Sequence, residues 1–254
     1  MSDLSATERT RHRRLRENGR TDRAALYEVL RAGFVCHLGV VSDGLPMVVP
    51  TVYGFDADHL YVHGSAASRS LSTGRLSECL VGARGAAGPP AGSEAARDTG
   101  DRPESGAGAA VDTVCVTVTH VDGLVLARSV FEHGVNYRSA MVYGVPRRLE
   151  GEEKLAALRI LTEHAAPGQW DYARRPSRKE LAATTILAIS LAEASVKVSA
   201  GPPGDGDGPD AELGLWAGVL PLATTWLAPV ADPLLPEEVA PPDHIGGRAG
   251  TRLS

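Results

Sequence analysis

The sequence predicts an antiparallel β-barrel with a few peripheral helices, mainly β or α+β in class. Three observations carry this. Short runs rich in Val, Leu, Tyr and Phe recur along the chain, and turns bearing Gly and Asp bound them. Several of these runs alternate apolar and polar residues with period two. Helical periodicity is confined to a few segments pushed to the ends of the strand-rich regions.

The elements follow in order. Residues 1–20 are polar, with six Arg between Arg9 and Arg20 and with Glu8 and Glu17 interspersed. They read as a flexible basic arm, a solvated tail or a clamp on a partner subunit, rather than a nucleic-acid binder. A helix starts at Thr21 or Asp22 as cap, places Leu26, Val29 and Leu30 on one face, and ends at Gly33. A meander follows, with strands Phe34–Val41, Pro46–Tyr53 and His59–His63. It opens into Gly64-Ser65-Ala66-Ala67-Ser68-Arg69-Ser70, small residues and hydroxyls around one guanidinium. Gly82–Asp112 holds seven Gly, nine Ala and three Pro, with no aromatic, Leu or Ile. Such a stretch cannot bury enough apolar surface to offset its ordering entropy, so a disordered insertion is expected at 82–112.

Val114–Val121 alternates as a strand, and Asp122-Gly123 reads as the turn of a hairpin returning through Leu124–Phe131. His133–Ser139 feeds a strand at Ala140–Val145. Glu150–His164 is expected to be helical, with Leu155, Leu158 and Leu161 on its apolar stripe. Ser177 and Glu180 form a capping box for a short helix reaching Ala183. The last strands are Thr185–Leu191 and Ser195–Ser199. The organisation is therefore a basic arm (1–20), one domain (21–227) and a Pro-rich, acidic tail (228–254).

A chain of 254 residues can bury a substantial core. Its formal charge of −5 argues against general binding to nucleic acid or to membrane surfaces. No stretch approaches the ~18–20 apolar residues of a membrane span, and no apolar segment follows the basic N-terminus. A soluble, cytoplasmic protein is the expectation. Cys36, Cys79 and Cys115 show no CxxC spacing, which disfavours disulfide scaffolds, zinc ribbons and covalent haem attachment. Gly204–Asp210 fits neither a calcium loop nor a phosphate loop and reads as a flexible turn. No GxSxG, HExxH or Walker motif exists, so no catalytic residue and no metal site is assigned.

The constellation that carries chemistry is anionic in preference. Ser65, Ser68 and Arg69 stand just past one strand; Asn136, Arg138 and Ser139 stand near the start of another. Both segments offer a guanidinium, which forks onto phosphate oxygens, together with hydroxyl or amide groups. His63 and His133 are further strand-end candidates.

Several pieces of the chain together resemble a known family. They are VCHLGVV, GLPMVVPTVYGFDADHLYVHGSAASRSL, VCVTVTHVDGLVLARSVFEHGVNYRSAMVYG, PGQWDYARRPSRKELAAT, EASVKVSAGPP and LWAGVLPL. In this order they resemble the FMN-binding split-barrel superfamily that includes pyridoxamine 5′-phosphate oxidase, and within it the flavin-nucleotide-binding proteins related to nitroimidazole-resistance reductases. The resemblance implies a homodimer with FMN in a groove at the subunit interface. It implies that Val49, Pro50 and Thr51 face the ring, that His63 and Gly64 lie beside it, and that Ser68 and Arg69 hold the phosphate. Arg138 and Ser139 would approach from the other side, and Lys197 and Trp216 would complete the pocket. Ser70 stands where pyridoxamine phosphate oxidases have Lys, and Lys197-Val198-Ser199 where relatives read Lys-x-Arg. The implied activity is NAD(P)H-dependent reduction of a small organic acceptor, with a flavin carrier or sensor, or a barrel using deazaflavin or haem, as alternatives.

Overall fold

The computed structural model describes residues 4, 7–13, 16–42, 44–65, 113–236 and 238–253. The expected disordered insertion, Ser68 and Arg69 therefore lie outside the described residues.

Ten strands among the described residues form one curled antiparallel sheet. They are β1 (Gly19–Arg20), β2 (Val35–Ser42), β3 (Leu45–Phe55), β4 (His59–Ser65), β5 (Val114–Leu126), β6 (Gly134–Gly144), β7 (Arg147–Arg148), β8 (Thr184–Ser190), β9 (Glu193–Ser199) and β10 (Gly218–Pro221). Their order is β1-β9-β6-β5-β2-β3-β4-β8-β7, with β10 added to the far half of β5. The helices are α1 (Arg23–Arg31), α2 (Gly151–Ala165), α3 (Gln169–Tyr172), α4 (Arg178–Ala183) and α5 (Asp243–Gly246). This is the split-barrel architecture: mainly β, with helices at the periphery.

Period-two alternation sends Cys36, Leu38 and Val40 of β2, Val114, Val116 and Val118 of β5, and Ala194 and Val196 of β9 into the hollow of the curl. There they meet Leu26, Val29 and Leu30 of α1, which plugs one end. Asp22 caps that helix by accepting from the Ala25 amide at 2.8 Å. Side chains from three other elements satisfy carbonyls at or just past its far end, which the helix cannot satisfy itself. Tyr53 Oη donates to Leu30 O at 2.6 Å, His120 Nε2 to Val29 O at 2.9 Å and His164 Nε2 to Gly33 O at 2.7 Å. Burial lowers the pKa of both imidazoles, against the opposing pull of those carbonyls. Burial also pushes the Cys36 thiol up to about 12, so it acts as a small apolar side chain.

A second, smaller core lies on the outward face, where Ala157 and Leu161 of α2 cover Tyr61, Ile186 and Ala188. The expected apolar stripe of α2 shifts accordingly: Leu155 faces solvent and Ala157 is buried in its place.

Three further sequence readings are corrected. Asp122-Gly123 is no hairpin turn. β5 runs straight through it as a bulge, since Val121 pairs with Tyr137 and Gly123 with Asn136, leaving Asp122 as the extra residue. The backbone of β10 approaches Gly123 so closely that a Cβ there would lie 2.8 Å from Leu220 O. Gly204–Asp210 is tied down rather than a free turn, because the buried Asp205 accepts from the amides of Arg128 and Ser129 and from the Arg128 guanidinium. The basic arm also folds back on its own chain: Arg9 forks onto Glu193 at 2.9 and 2.7 Å, and His12 Nε2 donates to Val196 O at 3.0 Å.

Candidate functional site: the split between two strands

β3 and β4 pair only at Tyr53–Val62, Gly54–Tyr61 and Phe55–Leu60. Beyond that point they part. β3 stays with β2 through Leu45, while β4 follows β8 through His63–Ile186, Gly64–Thr185 and Ser65–Thr184.

The reason lies in two prolines. The Tyr53 amide donates to Phe34 O at 3.0 Å, toward β2, so by alternation the even-numbered residues of β3 present their backbone to the opposite edge. Two of these are Pro46 and Pro50, which have no N–H to give. A fourth strand cannot ladder along such an edge, and its carbonyls are left to accept from something else.

The two lips of the split are Val49-Pro50-Thr51 and His63-Gly64-Ser65, segments at least 12 residues apart in sequence. Thr51 Oγ1 spans the mouth, donating to His63 O at 3.3 Å. The structure thus brings six of the predicted site residues to the two strands that border one split.

The remaining predicted residues lie elsewhere in the same chain. Asn136, Arg138 and Ser139 are on β6, separated from β3 by β5 and β2. Arg138 and Ser139 are neighbours on a strand and point to opposite faces, so they cannot grip one group together. Arg138 is occupied by a fork onto Asp122, with Nε–Oδ2 and Nη2–Oδ1 both 3.0 Å. Asn136 Nδ2 donates to Gly201 O at 3.0 Å. His133 Nδ1 accepts from the Ala127 amide at 3.2 Å. Trp216 is exposed and folds back against Gly218.

Ser139 and Lys197 do belong to a common feature. They line a cavity of about 340 Å³ with Arg9, Arg11, Arg13 and Tyr137, between the N-terminal arm and the outward face of β6 and β9. Lys197 Nζ sits 5.5 Å from the centre of the Tyr137 ring. Among the described residues no cluster of His, Cys, Asp and Glu could hold a metal ion by itself. No described helix is long and apolar enough to cross a membrane.

One group escaped the sequence reading. His37 stands on the outward face of β2, opposite Pro50 on β3 and Thr117 on β5. The alternation Val35-Cys36-His37-Leu38-Gly39 was the available signal, because Cys36 and Leu38 inward force His37 outward.

Comparisons with known proteins now bear on this geometry. The family model described as pyridoxamine 5′-phosphate oxidase matches residues 22–86 and 98–198. The flavocytochrome Anf3 from Azotobacter vinelandii is 31% identical with a TM-score of 0.76, over 96% of this chain and 98% of its own. A FAD- and haem-binding protein from Mycobacterium smegmatis is also 31% identical, with a TM-score of 0.74 over 93% of this chain and 98% of its own. A candidate 5-nitroimidazole antibiotic resistance protein from Bacteroides thetaiotaomicron is 19% identical over 71% of this chain and 86% of its own, with a TM-score of 0.49. No curated protein matches significantly. With a match to the family model spanning most of the chain, and two relatives alike over nearly their whole lengths, the chain belongs to the pyridoxamine 5′-phosphate oxidase family of flavin-binding split barrels.

Proposed function

We propose that this protein is a homodimeric flavocytochrome-type oxidoreductase that carries a flavin, FAD rather than FMN, together with a haem. The carrying observation is the 31% identity to a flavocytochrome and to a FAD- and haem-binding protein over 98% of each. A chain alike end to end has room for the same set of groups.

The residues present fit both. The open edge of β3 and the lip at His63-Gly64 offer backbone acceptors and a slot without bulky side chains, as a planar ring needs. The cavity lined by Arg11, Arg13, Tyr137 and Lys197 lies away from the split in the same chain. In the proposed dimer its cations and aromatic ring suit the pyrophosphate and second ring of a FAD whose flavin sits in the other copy. Haem needs an apolar seat and an imidazole not already engaged, and His37 and His63 make no hydrogen bond through their rings to any described residue.

When bound, the flavin supplies hydride and single-electron chemistry and the haem supplies a one-electron centre. The chain's own residues place and shield these groups. Thr51 holds the mouth of the split at a fixed width, Pro46 and Pro50 keep its edge free of a competing strand, and the Val and Pro side chains exclude water.

A second copy is part of this reading. The tail is pinned to its own chain at both ends, at Trp226, whose amide donates to Thr251 O at 3.0 Å, and at His244, whose Nε2 lies 2.9 Å from Gln169 Oε1. Between these anchors Leu227, Val230 and Leu234 are 84, 95 and 91% exposed, which suits a strap laid on a partner.

The test is the visible spectrum of the purified protein, chromatography of the flavin that heat releases, a pyridine haemochrome assay and sedimentation. FAD and haem in a dimer are expected. Released FMN, or a deazaflavin, would overturn the choice of flavin, and a haem-free protein that takes up no added haemin would overturn the haem. Anaerobic titration with NADH and NADPH tests a reduced nicotinamide as reductant. A flavin that neither reduces would make the protein a carrier or sensor.

A further inference from the structure

Five histidines among the described residues have a ring nitrogen engaged by the fold: His12, His120, His133, His164 and His244. His59 tilts against Tyr61, with centroids 6.1 Å apart, and His63 stands on a lip of the split. His37 differs from all of these in its surroundings. It projects from the middle of an apolar sheet face that no described element covers. Pro50 is beside it on β3 and Thr117 on β5, Val35 and Gly39 flank it along β2, and Val48 lies diagonally across. Val35 and Val48 are 44 and 65% exposed.

Gly39 adds a second, independent point. A Cβ there would meet nothing nearer than Cys115 O at 3.4 Å, an ordinary contact, so the chain's own packing does not require glycine. What the missing side chain does provide is open room next to the imidazole.

We propose that His37 is an axial ligand of the haem iron, with the macrocycle lying on this face over Gly39 and its flanking Val and Pro side chains. The assignment rests on the haem half of the proposed function. A neutral imidazole is the common protein ligand of haem iron, and the porphyrin needs a wide apolar surface that excludes water. The placement also relates the two cofactors. Pro50 adjoins His37 on the outward face, and the free edge of the same strand forms one lip of the split. One strand, about 4.8 Å in the sheet direction, thus separates the haem seat from the flavin cleft.

The experiment compares full-length wild type, His37→Ala, His37→Tyr and His63→Ala, each loaded with haemin and assayed for haem, flavin and fold. His37 is outward and exposed, and its ring makes no hydrogen bond to any described residue, so the variants are expected to fold. His37→Ala should lose haem affinity at least about tenfold and recover its Soret band with added imidazole. Released flavin per chain should be unchanged. His37→Tyr should bind haem with a tyrosinate-to-iron charge-transfer band that wild type lacks, a gain of signal that general misfolding cannot produce. Wild-type Soret and electron paramagnetic resonance spectra in both His37 variants would overturn the ligand assignment alone. So would loss of haem in His63→Ala with retention in His37→Ala. A wild type that binds no haem would overturn the haem reading itself.

Discussion

The outward face of the sheet has two halves that the chain treats differently. Over β4, β8 and the end of β3, helix α2 lies directly on the strands, and Ala157 and Leu161 bury Tyr61, Ile186 and Ala188. The approach is so close at Gly54 that a Cβ there would stand 2.8 Å from Leu161 Cα. Over β2 and the first part of β3 no described element covers the sheet. Yet the outward residues there are no more polar: Val35, Val41 and Val48 are 44, 59 and 65% exposed, beside Pro46 and Pro50. A sheet face meant for water alternates to Ser, Thr, Lys and Glu. The open half instead keeps the composition of a covered one, with a single imidazole at its centre. The contrast is that, among the described residues, the chain lays its own helix on one half and leaves the other bare without making it more polar.

The largest effect is expected on the covered half. Leu161→Ala removes a side chain that is 3% exposed and leaves a cavity between α2 and β4, which should cost about 3 kcal/mol of unfolding free energy. Urea denaturation measures it, and a loss below ~1 kcal/mol would show that α2 merely rests on the sheet. Gly54→Val attacks the same contact from the strand side. The added atoms meet helix backbone, which cannot rotate away, so about 2 kcal/mol should be lost through displacement of α2.

A smaller, pH-dependent effect comes from His164, which joins α2 to the plug helix α1 through Gly33 O at 2.7 Å. Burial lowers its pKa below the ordinary 6.5 in the folded chain. The unfolded chain therefore takes up a proton at a pH where the folded one does not, and stability falls with falling pH. Its contribution is complete above about 6.5 and is lost through the window down to the depressed folded value. His120, lowered in the same way, adds to the slope. Thermal unfolding between pH 7.5 and 5 should show this decline, and His164→Gln, which can still donate to Gly33 O, should flatten it. An unchanged slope in that variant would remove His164 from the account.

Much of the fold was legible in the sequence because it is written in local alternation. Cys36, Leu38 and Val40, or Val114, Val116 and Val118, declare an inward face without knowing their partners. The Ser177–Glu180 capping box is likewise local, and it forms as read. What escaped depends on contacts distant in sequence. Asp122-Gly123 carries the turn chemistry of a hairpin, and only the arrival of β10 against Gly123, nearly a hundred residues later, makes it a bulge. Asp205 looks like part of a mobile glycine run until Arg128 and Ser129 reach it. The site divides along the same line. The lips of the split come from consecutive strands of one meander and could be located by counting, whereas alternation gives the face of Arg138 but not the partner, Asp122, that occupies its guanidinium.

The smallest expected effect on folding is also the sharpest test of the contrast. Val48 lies on the open half with 65% of its surface exposed, so Val48→Ser removes little that the single chain buries. Substitutions at such positions usually change stability by less than about 0.5 kcal/mol. If the open half is only surface, nothing else should change. If it is a seat for haem or for a second copy, the same substitution puts a hydroxyl where an apolar contact belongs. Haem affinity or dimer affinity should then fall several-fold while the unfolding midpoint of the unliganded monomer stays put. Sedimentation and haemin titration of Val48→Ser beside wild type separate the two cases. Unchanged association on both counts would mean that this half, for all its valines, faces water.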